Sequence, residues 1–186
     1  MHTCELSNRF LQTSLLALLL LLSAPMLEAA DKTLTANDNV RITVTRGRSV
    51  TDVENGSIGE KLAEFEPVVT IQNSSFNNFP GNRVILLMLG EDTTIQDNWK
   101  VLYRREFDAD LVSAKTFRWA GEPFAAGFDR TLAKSGFDYD GYIVVIKNSE
   151  GDPVILSASK AFWAKSADKV LAMQEGKEYG KSYFKN

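Results

Sequence analysis

Cysteine and histidine are almost absent from this chain of 186 residues. The single histidine, His2, and the single cysteine, Cys4, both lie at the extreme N-terminus. The remainder has no thiol nucleophile, no imidazole base, no His/Cys metal ligands and no disulfide. We therefore predict a protein that is not an enzyme, with no catalytic residues, no metal site and no cofactor.

The first thirty residues have the three-part layout of a secretory signal peptide. Arg9 supplies a basic charge, an apolar run follows over residues 15–22, and small residues precede a cleavage point after Ala30. The apolar run is much shorter than the roughly 20 residues of a membrane-spanning helix. We predict a signal peptide over 1–30 and export of a single domain, 31–186, to the periplasm or the extracellular space. An uncleaved anchor is the alternative.

Neither sign of charge forms a long block. The formal net charge is −3 at pH 7, and the longest basic run is Arg104-Arg105. A nucleic-acid groove needs a basic field that displaces counterions, so we expect no nucleic-acid binding. A domain of this length can bury a full core without disulfides, which favours one domain.

The hydrophobic pattern is mostly of period two, which is typical of strands with one buried face. Gly, Asn, Asp and Pro separate the segments, and no helical spacers intervene. This pattern predicts an all-β sandwich or barrel of about seven strands. The predicted strands cover residues 40–45, 68–72, 84–89, 99–107, 111–119, 142–146 and 154–159.

Three of these strands and one loop allow more detailed predictions. Residues 84–89 and 142–146 are continuously apolar, which indicates central strands buried on both faces. In 99–107, Trp99 and Phe107 fall on the same face by strict alternation. Residues 147–153 predict a hairpin loop in which Gly151 supplies the positive φ.

Helical structure is expected only near the C-terminus. Ser166 can cap a helix over residues 166–175, and Gly176 can end it. A single helical turn over 59–65 is a further expectation, and residues 121–136 are expected to be a long excursion with little regular structure.

Several motif-like patterns fail on their spacing. Both S-x-x-K pairs, Ser157–Lys160 and Ser166–Lys169, lack the companion motifs of penicillin-binding proteins, and a phosphate loop near Gly176 lacks its first glycine. Asp138 and Asp140 resemble part of a calcium loop, but its first and last ligand positions are unsuitable. Two alternatives stay open: a loose calcium site on these two aspartates, and a hydrolase that uses two carboxylates, such as Asp108 and Asp110.

Aromatic side chains are the remaining candidates for ligand contact. Large aromatic rings pack in cores, but exposed ones stack on sugars and on protein partners. The predicted ligand-contact aromatics are Trp99, Trp119, Tyr139 and Trp163.

Two segments carry a resemblance: YDGYIVVIKNSEGDPV at residues 139–154 and PVVTIQNSS at residues 67–75. With them, the chain from about Val40 to Trp163 resembles small exported immunoglobulin-like proteins of verrucomicrobial bacteria of the Akkermansia type, which are associated with pili. The resemblance implies a signal peptide, one immunoglobulin-like β-sandwich, and a role in a surface or pilus-like assembly. We therefore expect an all-β, immunoglobulin-like β-sandwich of about seven strands, followed by the one short C-terminal helix predicted above. It carries no functional residues over, and the Cys…Trp…Cys core of antibody domains is absent.

We therefore expect an exported, non-catalytic binding or structural protein of the cell envelope. Its expected partner is an envelope or surface protein, bound through strand edges or aromatic contacts. A carbohydrate-binding module that uses the exposed aromatics is the alternative.

Overall fold

The computed structural model describes residues 29–52, 60–129 and 136–185, so the predicted leader lies outside it apart from its last two positions. Nine strands pair in antiparallel fashion into two sheets. The strands are β1 Val40–Asp52, β2 Glu60–Asn73, β3 Phe79–Asp92, β4 Asn98–Leu111, β5 Thr116–Ala120, β6 Phe124–Asp129, β7 Phe137–Lys147, β8 Pro153–Ala158 and β9 Glu178–Gly180.

The first sheet has the order β1-β2-β5, and β6 pairs with the same side of β2 as β5 does. The second sheet has the order β8-β7-β3-β4-β9. When β5 and β6 are counted as one interrupted strand, the sheets correspond to the A-B-E and G-F-C-C′ strands of an immunoglobulin-like sandwich. The predicted all-β sandwich is therefore confirmed, with nine strands in the described residues instead of about seven.

The two continuously apolar strands are buried on both faces, as predicted. Alternate residues of β3 and β7, such as Leu86 and Val144, pack into the core between the sheets. The residues between them, such as Leu87 and Ile143, pack into a second core on the outer face of the second sheet. A strand with two covered faces has no polar side, which explains the loss of alternation.

The chain after β8 covers that outer face. It forms two 3₁₀ turns, η1 Ala161–Lys165 and η2 Lys181–Phe184, and one helix, α1 Ala167–Leu171. Ser166 caps α1 as predicted, but the helix ends earlier than expected because the chain turns back to pair with β4. There, the N–H of Gly176 donates to the carbonyl of Val101 at 2.8 Å. None of the helices in the described ranges has the length and apolar character that a membrane span requires.

The predicted shared face of Trp99 and Phe107 is wrong. Met88 of β3 is paired with Tyr103 of β4, but its neighbour Leu89 is paired with Val101, so Leu102 is an extra residue in a β-bulge. A bulge changes which face the following side chains point to. Trp99 and Val101 consequently lie in the outer core, whereas Tyr103 and Phe107 face the inner one.

Two loop and helix predictions are also wrong. Residues 60–65 are part of β2, not a helical turn, and the expected irregular excursion contains β6, although residues 130–135 lie outside the described ranges.

Pro67 lies inside β2, not at its start. It is tolerated there because its ring nitrogen faces the break between β5 and β6, where Gly121 donates to its carbonyl at 2.9 Å and no ladder donor is lost.

The predicted strand over 111–119 is divided. Leu111 ends β4 and Thr116 begins β5, with a turn between them in which Ala114 has a φ of 54°. The predicted hairpin between β7 and β8 is confirmed, and Gly151 has a φ of 92°.

Candidate functional site

Two of the four predicted ligand-contact aromatics are buried. Trp99 and Trp163 are each 1% exposed and pack edge to face, with ring centroids 5.7 Å apart. Together with Phe162 and Phe184 they form the aromatic centre of the outer core. The prediction that Trp99 and Trp163 contact a ligand is therefore corrected, because neither ring offers a face to solvent.

The other two predicted aromatics are half-buried and lie in separate stacks. Trp119 of β5 lies parallel to Phe107 of β4, with centroids 4.1 Å apart. Tyr139 of β7 lies beneath Arg46 of β1, whose guanidinium carbon is 3.9 Å from the ring centroid. The four aromatics do not form one platform.

Burial raises the pKa of Tyr139 to about 12. The nearby Arg46 guanidinium acts in the opposite direction, since a cation favours the phenolate. Burial prevails, and Tyr139 stays protonated at neutral pH. The contact between its ring and the exposed Arg46 joins a strand of the first sheet to a strand of the second.

The side of the sandwich formed by β1 and β8 is open. Each is the edge strand of its sheet. The apolar side chains between the two edges pack against the inner core but remain half-exposed. We call this region the β1–β8 seam; its side chains are Val40, Ile42, Val44, Val154 and Ile155.

Backbone groups at the β1 edge point into solvent. The carbonyl of Pro67 in β2 accepts from Gly121, on the side of β2 that faces away from β1. Arg46 of β1 is paired with Pro67, so the backbone groups of Arg46 point away from β2. Because this direction alternates along an antiparallel ladder, the N–H and C=O groups of Ile42 and Val44 point outward too. Within the described residues, neither amide donates a backbone hydrogen bond to a residue outside the β1–β2 pair.

The seam has few of the features that prevent edge-to-edge pairing. Natural edges are usually short, charged, bulged or covered. β1 is 13 residues long, and over residues 40–47 it has only two charged side chains, Arg41 and Arg46. β8 is short, with Pro153 at its first position, but it has no charged residue.

The opposite side of the sandwich is closed by aromatic stacks. Trp119 lies on Phe107 there, and Tyr103 lies on Phe124 with centroids 4.8 Å apart. A cleft of about 280 Å³ remains between β4 and β6, and none of the predicted aromatics lines it. Tyr103 is almost fully buried on this side, and burial raises the pKa of its hydroxyl.

A charged cluster lies at the edge of the outer core. The ammonium of Lys160 contacts the carboxylate of Asp140 and lies 4.0 Å from Oε2 of Glu91. The indole N–H of Trp99 donates to Oδ2 of Asp140 at 2.7 Å. Asp140, one of the two aspartates of the loose calcium site, is held by these partners, whereas Asp138 is exposed.

The two carboxylates of the predicted pair, Asp108 and Asp110, each have a partner of their own. Asp108 forms an exposed ion pair with Arg83 at 3.4 Å, and Asp110 accepts from the N–H of Gly81 at 2.7 Å. Residues 29–52, 60–129 and 136–185 contain no group of three or more His, Cys, Asp or Glu side chains placed to hold a metal ion.

Sequence reasoning identified strand edges in general but not these residues. The alternation of residues 40–45 predicts a strand with one buried face and is the same for an edge strand and a central one. Only the pairing order shows that β1 and β8 lie at edges.

No protein-family profile matches the sequence, and no curated protein matches it significantly. One solved structure similar to this chain is a crystal structure from Akkermansia muciniphila, with 11% sequence identity over 77% of this chain and 81% of that chain, and a TM-score of 0.29. The resemblance to that structure is weak.

Proposed function

We propose that this protein is an exported, non-catalytic binding protein of the cell envelope, which accepts a strand from a partner protein at the β1–β8 seam. A single observation carries the proposal: two unpaired strand edges border one row of half-exposed apolar side chains. Backbone hydrogen bonds to an added strand give affinity, and pockets for its alternate side chains give specificity.

The arrangement fits an extended segment that pairs with the outward groups of Ile42 and Val44. Its inward side chains would extend the inner core beside Val154 and Ile155, which removes apolar surface from water. Its outward side chains would lie next to Arg41 and Thr43 on the exposed face of the first sheet. Assembly of a surface or pilus-like structure is the proposed setting.

Site-specific photocrosslinking in the producing cells tests this proposal. A photoreactive amino acid at Ile42 or Ile155 should give an adduct with one envelope protein. The same residue at Thr43 is the matched control, because Thr43 neighbours Ile42 but its backbone pairs with β2 and its side chain is on the other face. Val44→Lys should abolish the adduct, whereas Thr45→Lys should leave it.

Equal adducts from Ile42 and Thr43, or none from either seam position, would overturn strand addition at the seam. Export is checked separately by fractionating the cells and sequencing the N-terminus of the protein. A protein that stays in the cytoplasm with residues 1–30 attached would contradict the proposed location.

Carbohydrate binding has less support, because two of its four candidate aromatics are buried. Trp119 and Tyr139 are the candidates that keep part of their rings exposed, and Tyr139 lies beneath Arg46. If a glycan array gives a signal that Trp119→Ala removes, carbohydrate binding replaces strand addition as the better account.

A further inference from the structure

Three charged side chains from distant parts of the chain meet at the edge of the outer core. Glu91 is near the end of β3, Asp140 is in β7, and Lys160 immediately precedes η1. The ammonium of Lys160 touches the Asp140 carboxylate, and Oε2 of Glu91 is 4.0 Å from the same nitrogen. One amine thus lies close to two carboxyl groups.

The surroundings of this cluster are mainly aromatic. The Lys160 nitrogen lies 5.3 Å from the Trp99 ring centroid and 5.2 Å from that of Trp163. The side chain of Asp140 is only 19% exposed, whereas that of Lys160 is 32% exposed. Aromatic rings on two sides of the nitrogen exclude much of the water that would otherwise solvate the pair.

A local irregularity of β7 directs Asp140 toward this position. Leu89 of β3 is paired with Gly141, and Gly90 is paired with Tyr139, so Asp140 is the extra residue of a bulge. Gly141 is needed beside it, since a Cβ there would lie 2.8 Å from the Trp163 ring. Bulges of this kind frequently re-aim a side chain next to a functional site.

We propose that Lys160 and Asp140 form an intramolecular amide crosslink, with Glu91 as the proton carrier. A proton passes from the Lys160 ammonium to the Asp140 carboxylate, which makes both groups neutral. The Lys160 nitrogen then attacks Cγ of Asp140, and a C–N bond forms. Glu91 takes a proton from that nitrogen and passes it to the departing hydroxyl, so a C–O bond breaks and one water molecule leaves. No atom is oxidised or reduced.

Trp99 contributes to this step by position. Its N–H donates to Oδ2 of Asp140, the oxygen on which negative charge develops while Cγ is tetrahedral. A donor fixed in advance at that oxygen stabilises the charge without reorganisation. The same hydrogen bond persists in the product, where that oxygen is the amide carbonyl.

The crosslink would take the place of a disulfide in a chain whose only cysteine is Cys4. It closes a loop from β7 to the start of η1, so it fastens the segment that covers the outer face of the second sheet. Closing a loop restricts the unfolded chain and raises stability.

The mass of the intact purified protein tests the proposal. The measured mass of the wild-type protein should be lower, by one water molecule, than the mass calculated from its sequence starting at the observed N-terminus. Lys160→Arg keeps the positive charge but should restore the full sequence mass. The matched control is Lys181→Arg, at the exposed ion pair of Lys181 with Asp97, where Nζ is 2.8 Å from Oδ2; this variant should still lose water.

Two further variants separate chemistry from folding. Asp140→Asn should lose ammonia instead of water and reach the same mass as the crosslinked wild type, because the amide product is identical. Glu91→Gln should slow the reaction, which leaves a fraction at full mass. A wild-type protein of full sequence mass, with no proteolytic fragment joining Asp140 to Lys160, would overturn the proposal.

Discussion

The indole N–H of Trp99 and the carboxylate of Asp140 form a hydrogen bond of 2.7 Å. It links β4 to the bulge of β7, next to the cluster that contains Lys160. The neighbouring Trp163 is equally buried, but its indole N–H has no hydrogen-bond partner in the described part of the chain. Two buried tryptophans in one cluster thus differ in a single polar interaction.

Trp99→Phe should therefore destabilise the protein more than Trp163→Phe does. Both changes remove similar apolar volume, but only the first removes a hydrogen bond to the Asp140 side chain, which contributes about 1 kcal/mol. Urea denaturation of the two variants measures the difference in the free energy of unfolding. Equal losses would mean that the Trp99–Asp140 hydrogen bond contributes nothing.

Gly141→Ala should cost about 1–3 kcal/mol of stability through overpacking. A Cβ at this position would lie 2.7 Å from Oγ of Ser159 and 2.8 Å from the Trp163 ring. Gly127→Ala is the matched control, since no atom lies within 4 Å of its added Cβ, and it should change stability by less than about 0.5 kcal/mol. Thermal unfolding of both variants checks this, and a neutral Gly141→Ala would contradict the packing described for the outer core.

Stability should fall as the pH rises from about 10 to about 12. Burial raises the pKa of folded Tyr139 to about 12, whereas an exposed tyrosine titrates near pH 10. Between those values the unfolded chain binds fewer protons than the folded one, so the free energy of unfolding decreases with pH. Below pH 10 this contribution is fully present.

Tyr139→Phe should make that decrease less steep, because the phenol no longer titrates. A residual slope is expected from Tyr103 and Tyr183, whose pKa values burial also raises. Denaturation midpoints across the alkaline range provide the comparison. Parallel curves for the wild type and the variant would mean that Tyr139 is not buried as described.

Asn73→Ala should be among the most destabilising single changes, at about 3 kcal/mol. The Asn73 side chain is 1% exposed and donates to the carbonyls of Asn77 and Leu111 at 2.8 and 3.0 Å. Its oxygen accepts from the N–H and the hydroxyl of Ser75. Asn77→Ala serves as the control in chemical denaturation, because only the backbone of Asn77 takes part in these bonds; similar losses for both would contradict the role of Asn73.

The fold class could be predicted from the sequence because it depends on the hydrophobic period. Alternation in residues 40–45 and continuous apolar runs in 84–89 and 142–146 reflect how many faces of each strand are covered. The same reasoning could not detect the bulges at Leu102 and Asp140. A bulge adds one residue without changing composition, and its position depends on how the neighbouring strands pair.

The candidate site was less predictable for a related reason. Trp99 and Trp163 have the residue type of a ligand platform, but the segment after β8 covers them, and nothing near either tryptophan in the sequence indicates that cover. Ile42 and Val44 have the residue type of ordinary core, but the strand order leaves them at an edge. Exposure in both cases is a property of the assembled sheets.

Residue-resolved amide hydrogen exchange in β1 tests the central claim, an open edge that accepts a strand, most directly. In the free protein, the amides of Ile42 and Val44 should exchange rapidly, while those of Thr43 and Thr45, which pair with β2, should exchange slowly. When the partner identified by crosslinking is bound, all four should exchange slowly. Slow exchange at Ile42 and Val44 in the free protein, or unchanged rapid exchange in the complex, would contradict strand addition at the β1–β8 seam.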